Sequence, residues 1–338
     1  MLCKLNRFPP QMKILTTFTL AAAATLALTA CHGTGKKKPP QENSSTSGTL
    51  VMACDASFEN IMEQEIEVFE FCYPHASVLP YYIDNRSAID SLMNGSARVA
   101  VTATPLTPEQ EKVLRGKKHF AKSKRIAVDA IAVIVNPDND VENLSVSELA
   151  DILTGKVTRW DEIAPSRLGN IQVVFDGNGS SVVTYAVDSI MHGEKFAPNV
   201  YSANSMKGVF DAVRERRNAV GLVGVSWISS DLRTADMSVE EKTRTLERDD
   251  STATDFVSDI KVMPVRRDNS LHAVKPYQAY IFDGTYPLFR SIWMINTGAT
   301  GSLANGFFAF VTSFQGQKLI QTTGVLPGTV HRRMVEVN

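Results

Sequence analysis

Cysteine is scarce in this chain, four in 338 residues, and only Cys54 and Cys72 fall in its body. That excludes a disulfide-rich scaffold, and the two thiols are not spaced for zinc. A bridge between them is also excluded on length. Phe58, Ile61, Met62, Ile66 and Phe69 mark one face of a helix running to Cys72, and Cys54 precedes it. Roughly 20 Å of helix would separate the sulfurs, whereas a bridge needs Cα atoms within about 7 Å. Two free thiols are expected. Histidine is equally sparse: the six present show no H-x3-H metal spacing. Charge of one sign is missing too. The formal net charge is −1 and no long basic block follows the N-terminal region, so nucleic-acid binding has no electrostatic basis. The stretch "VVFDGNGSSVVTY" (173–185) lacks the Lys-Ser/Thr pair of a P-loop and the third glycine of GxGxxG. Ser180 has no glycine two residues later, as a hydrolase nucleophile elbow requires. No catalysis, cofactor or metal is expected.

What is present begins at the N-terminus. "MKILTTFTLAAAATLALTAC" (12–31) has a basic start and an apolar run of signal-peptide length, too short to span a bilayer. Translation from either Met1 or Met12 supplies such a signal. Its end, Leu28-Thr29-Ala30-Cys31, resembles a bacterial lipobox, which implies a signal over 1–30 and lipid on Cys31. "HGTGKKKPPQENSSTSG" (32–48) is polar and aperiodic, so 31–48 reads as a flexible tether. A cell-envelope location is expected, lipid-anchored and facing the periplasm or the cell exterior.

The body is 43% apolar over the whole chain's count and too long for one comfortable core, so two lobes are expected. "GTLVMACDAS", "ASVLPYYID" and "ARVAVTATPL" are buried strands, each followed by a helical pattern, the second opening at Ser87. This alternation predicts a parallel α/β sheet. "RIAVDAIAVIVNPDN" (125–139) is long enough to leave one lobe and enter another. "SVSELADILTG" is a helix stopped by Gly155, and "TRWDEI" carries Trp160 as a packing residue. Residues 229–258 read as an exposed excursion, and "RERRN" (214–218) as a solvated helix end.

The phrases "DAIAVIVNPDN…LSVSELADILTGKVTRWDEI", "IQVVFDGNGSS", "AVGLVGVSWI", "IKVMPV", "YPLFRSIWMI" and "FAFVTSFQGQKLIQTTGVLP" together resemble the phosphate-binding proteins of bacterial phosphate ABC transporters. The resemblance covers roughly residues 48–330. It implies an α/β, two-lobed periplasmic-binding-protein type II fold with two crossing hinge strands. Lobe 1 would comprise 49–135 and 261–338, and lobe 2 would comprise 136–260. The implied function is capture of phosphate, or a related tetrahedral oxyanion, between the lobes, by a monomer that delivers it to an ABC permease. The alternative is a non-transport sensor or scaffold with a degraded anion site.

A buried oxyanion needs hydrogen-bond donors in place of its water, and helix N-termini supply them. By resemblance, Ser57, with Phe58, matches the first donor loop, Ser87 the second, and Asn178, Gly179 and Ser180, with Ser181, the Ser-Gly-Thr of the third. Gly177 and Gly179 are read as letting the backbone curl toward the cleft. The chain departs from the family twice. Thr102-Ala103-Thr104 stands where an Asp or Arg is common, and Val174-Phe175 where many members have Arg. Thr104 can donate or accept, so weak discrimination between phosphate and sulfate is expected. Arg86 is the candidate for the missing positive charge.

Overall fold

The computed structural model describes residues 44–177, 179–229, 238–246 and 256–329. The expected signal (1–30), the lipid-bearing Cys31 and the tether as far as residue 43 lie outside the described residues. Ser47 already opens the first strand. β1 (Ser47–Asp55), α1 (Glu59–Cys72), β2 (His75–Ile83), α2 (Asn85–Asn94), β3 (Val99–Thr102) and α3 (Pro108–Gly116) alternate as the apolar runs predict. β4 (Lys122–Val135) is the long strand. β5 (Leu144–Ser145), α4 (Val146–Thr154), β6 (Gln172–Phe175), α5 (Ser181–Tyr185), β7 (Val200–Ser202), α6 (Met206–Glu215) and β8 (Ala219–Gly224) follow. Inside the expected excursion lies a helix, α7 (Val239–Leu246). β9 (Lys261–Met263), β10 (Val265–Arg266), α8 (Gln278–Phe282), β11 (Phe289–Asn296), α9 (Leu303–Val311), α10 (Phe314–Thr322) and β12 (Leu326–Pro327) complete the described body. Among the described residues no helix is long and apolar enough to cross a membrane.

The sheet is mixed rather than wholly parallel. β1 runs parallel to β2 and β3, and β6 runs parallel to β7 and β8. Between these parallel sets, β11 is antiparallel to β3 and β4, and β4 is antiparallel to β8. β4 belongs to both lobes: Lys122–Ala130 pairs with β11, while Ile131–Val135 pairs with β8. Its second half is buried throughout, which is why it reads as a continuous apolar run. One expected boundary moves. β9 pairs with Val133–Val135 of β4, so 261–263 lie in the lobe 2 sheet and the chain rejoins lobe 1 later, at β11.

Local signals placed the helix ends well. The Thr107–Gln110 and Ser145–Glu148 pairs form capping boxes that open α3 and α4. Gly155 ends α4 at φ 79°. A methyl group on Gly155 would also lie 2.7 Å from the Ala197 side chain, whereas one on Gly95, the α2 stop at φ 85°, meets nothing within 4 Å. Gly155→Ala is therefore expected to lower stability by about 2–3 kcal/mol, and Gly95→Ala by about 1 kcal/mol. Urea unfolding midpoints check this, and equal losses would mean that the Ala197 contact yields freely. Ser87 does not cap α2. Asp84 does, accepting the Ser87 N–H at 3.0 Å.

α1 buries Ile61, Met62, Ile66, Val68 and Phe69, and the Phe69 ring meets Phe307 edge-on at 5.1 Å and Phe310 tilted at 5.3 Å. Trp160 is fully buried, with its indole N–H donating to the Asn218 carbonyl at 3.0 Å, a packing role as expected. Arg214 and Arg217 of the basic helix end pair with Asp211 and Asp138, each at 3.3 Å. Cys54 and Cys72 are free thiols.

Candidate functional site

The C-terminal ends of β1 and β6 face each other across the two lobes. After β1 the chain makes a tight turn over Ala56–Phe58 because the Asp55 carboxylate accepts the Ser57 N–H at 2.9 Å and, over a shorter contact, the Ser57 hydroxyl. Ser57 therefore does not cap α1. Its hydroxyl oxygen lies 2.8 Å from that of Ser181, the first residue of α5. Ser180 is the N-cap, accepting the Val183 N–H at 3.1 Å.

Arg290, on β11, completes this centre and is a candidate site residue that sequence reasoning missed. It is 6% exposed, and its guanidinium donates to Ser181 Oγ at 2.5 Å. The same group donates to Asp129 Oδ2 of β4 at 3.1 and 3.2 Å and lies 4.6 Å from the centre of the Phe58 ring. Asp129 is fully buried and accepts the Val225 N–H at 3.1 Å. Burial raises its pKa, while Arg290 works against that shift. Because Ser57 gives its proton to Asp55, the proton between the two serines belongs to Ser181. The donors thus run one way: Arg290 to Ser181, Ser181 to Ser57, Ser57 to Asp55. Arg290 was visible within "YPLFRSIWMI" as a basic residue in a buried strand, a rarity that marks a paired charge.

The lobes also meet nearby. Trp227 donates its indole N–H to the Ser57 carbonyl at 2.9 Å, and the Asn60 amide donates to the Ser226 carbonyl at 2.6 Å. Gly179 lies close to Asp84: a methyl group there would be 3.3 Å from the Asp84 side chain. This close approach, and not backbone conformation, is what its small size serves. Neither Gly177 nor Gly179 has a positive φ, so the expected curl rests on no left-handed glycine.

The remaining expected site residues divide. Ser87 donates its hydroxyl to Asp84 Oδ2 at 2.5 Å, and this bond and the backbone N–H groups hold the Asp84 carboxyl below its usual range even though burial opposes them. Its proton is thus committed to Asp84. Thr104 is exposed, with its hydroxyl accepting from Asn85 at 3.3 Å. Arg86 is exposed, so its side chain does not stand in the buried centre; Arg290 supplies positive charge there. Asn178 lies outside the described residues. The expectation of weak sulfate discrimination rested on a lost acceptor after β3, but buried acceptors stand elsewhere: Asp55 and Asp176 each keep a buried carboxylate oxygen with no partner among the described residues. Burial raises the Asp176 pKa, the Asp55 charge adds to that, and Ser180 and Arg290 oppose it.

The chain is similar to phosphate-binding proteins over part or nearly all of its length. The phosphate-binding protein PstS 2 of Streptococcus pneumoniae is 33% identical over 117 residues, a match spanning 35% of this chain and 38% of that protein. The phosphate-binding protein PstS of Bacillus subtilis is 22% identical over 325 residues, 93% of this chain and 94% of that one. Among solved structures, a substrate-binding protein of Clostridium perfringens with bound phosphate superposes with a TM-score of 0.63 at 19% identity, covering 83% of this chain and 99% of that chain. That likeness shows the two-lobed α/β fold. The family model described as the PBP superfamily domain matches residues 39–314, and the chain belongs to that periplasmic-binding-protein superfamily.

Proposed function

We propose that this chain is an extracytoplasmic solute-binding protein that captures phosphate, or a related tetrahedral oxyanion, between its lobes and delivers it to an ABC permease. One observation carries the reading. The Ser57 hydroxyl from lobe 1, the Ser181 hydroxyl from lobe 2 and the Arg290 guanidinium from β11 converge in one desolvated place. An oxyanion seated there would accept from the Ser181 hydroxyl and the Arg290 guanidinium in exchange for its water, with Ser57 of lobe 1 held against Ser181 by Asp55. Phe58, whose ring centre lies 4.6 Å from the guanidinium carbon, holds that group in position. The first turn of α5 adds further N–H donors. The lipidated Cys31 would hold the protein at a membrane surface, acting as a monomer without cofactor and without catalysis.

Thermal unfolding with phosphate, arsenate, molybdate and sulfate tests the reading. A ligand present at a thousand times its Kd adds about 4 kcal/mol to stability, a shift of several degrees for a body of this size. No shift with any oxyanion would leave the sensor or scaffold reading in place. One feature favours that second reading: the charges of Asp55 and Arg290 both act on Asp176, and that guanidinium is already paired with Asp129.

A further inference from the structure

One edge of lobe 1 carries a concentrated positive charge that the cleft does not use. Residues 112–125, from α3 into β4, hold seven Lys or Arg and no Asp or Glu, in a chain of formal net charge −1. No basic run there exceeds two residues, so the stretch does not read as a basic block along the sequence. All seven are exposed. Glu111 pairs with Arg115 at 3.2 Å, Lys117 donates to the Met93 carbonyl at 2.9 Å, and Lys122 donates to the Asn305 amide oxygen at 3.2 Å. Lys118, Lys124 and Arg125 make no side-chain hydrogen bond or ion pair among the described residues. Phe120 stands between them in the chain, 72% exposed. We propose that this edge is a membrane-contact surface, where the cations meet anionic phospholipid headgroups and Phe120 enters the headgroup boundary.

The topology sets this edge apart from the cleft. β1 is parallel to β3, and β11 is antiparallel to both β3 and β4, so β4 runs in the same direction as β1. Both strands therefore start at the edge away from the cleft. Lys122 precedes Asp129 by seven residues, about 23 Å of strand. The chain enters the body at that same edge. A methyl group on Gly306 of α9 would lie 1.8 Å from the Ser45 carbonyl, and the neighbouring Asn305 is the residue that accepts from Lys122. Cys31, the expected lipid position, comes 13 residues before Ser44, a reach of at most about 45 Å. Stable anchoring takes two signals, such as a lipid chain and a polybasic patch, and anionic headgroups attract Lys and Arg held near them. Duplex nucleic acid fits less well, because its phosphates offer no apolar boundary for Phe120 to enter. The inference stands apart from the oxyanion reading, since it involves neither the cleft nor its ligand.

Co-sedimentation with lipid vesicles tests it, using residues 32–338, which lack the apolar signal and the lipid position and keep the compact unit 43–338 entire. Vesicles of phosphatidylcholine with about 30% phosphatidylglycerol are expected to bind this chain at low salt and release it at about 0.5 M salt. Phosphatidylcholine alone is expected to bind at least about thirtyfold more weakly. Lys118→Asn combined with Lys124→Thr and Arg125→Thr should weaken binding to the anionic vesicles by roughly thirtyfold. Asparagine is chosen because Lys118 has a φ of 62°. Phe120→Ser should weaken it by about fivefold and leave the salt dependence unchanged. Equal binding to both vesicle types, or a triple variant that binds as the parent does, overturns the inference. Tighter binding to a DNA duplex than to anionic vesicles also overturns it and assigns the edge to nucleic acid. The comparison of vesicle types and salt uses the unaltered edge, so it stands whether or not the variants fold.

Discussion

Arg290→Ala is expected to lower stability by about 3–5 kcal/mol and to weaken phosphate binding by at least tenfold, the largest effects of any single change in this protein. Asp129 is fully buried, and without the guanidinium backbone N–H groups of Val225 and Ala130 are left to stabilise its charge. Removing one partner of a buried pair leaves an uncompensated ion, which costs far more than the pair contributes. The pH dependence follows. Burial already raises the folded pKa of Asp129, and the variant raises it further, so the carboxyl's contribution is best below the unfolded value and worsens as pH rises through the folded one. The deficit of Arg290→Ala should therefore shrink on acidification. Guanidinium unfolding curves at two pH values measure this. The double variant Arg290→Met with Asp129→Leu separates fold from function, because a buried pair replaced by apolar groups costs little. It should recover most of the stability and none of the affinity. Unaltered phosphate affinity in either variant would remove Arg290 from the site.

Glu65→Leu is expected to stabilise the protein, by about 1–3 kcal/mol at neutral pH. Glu65 lies on the buried face of α1 with Ile61, Met62, Val68 and Phe69, is 0% exposed, and neither carboxylate oxygen has a partner among the described residues. Burial raises its pKa well above the ordinary value. A raised carboxyl costs nothing extra while it is protonated in both states. Above the unfolded pKa of about 4, each pH unit adds about 1.4 kcal/mol of penalty until the folded pKa is passed. The advantage of the leucine variant should accordingly widen as pH rises from the acid range to neutrality. Glu65→Gln, which keeps polar atoms in the same place, should recover only the charge-dependent part. A leucine variant no more stable than the parent, or an advantage that is constant with pH, would show that the carboxyl finds a donor or water that the fold does not reveal.

Several elements were legible because their signals are local. The alternation of strands and helices follows from apolar spacing within a few residues, and the ends of α3 and α4 follow from capping pairs three residues apart. Serine loops after β1 and β6 were likewise visible as candidates. Which serine faces the other lobe was not: Ser57 and Ser87 each give a proton to a neighbouring aspartate, yet only Ser57 meets Ser181, and Ser181 rather than the N-cap Ser180 meets Arg290. Each outcome turns on competition between a neighbouring carboxylate and a distant side chain, which spacing does not rank.

By itself the sequence determined an α/β body with two lobes, free thiols, a signal-like N-terminus and donor-rich loops, since these depend on composition and on neighbours along the chain. Only the tertiary structure decided where the charge resides. Arg290 and Asp129 are 161 residues apart, and Ser57 and Ser181 are 124 apart. No local pattern encodes such pairs, because burial makes each charge costly until the fold brings its partner within reach.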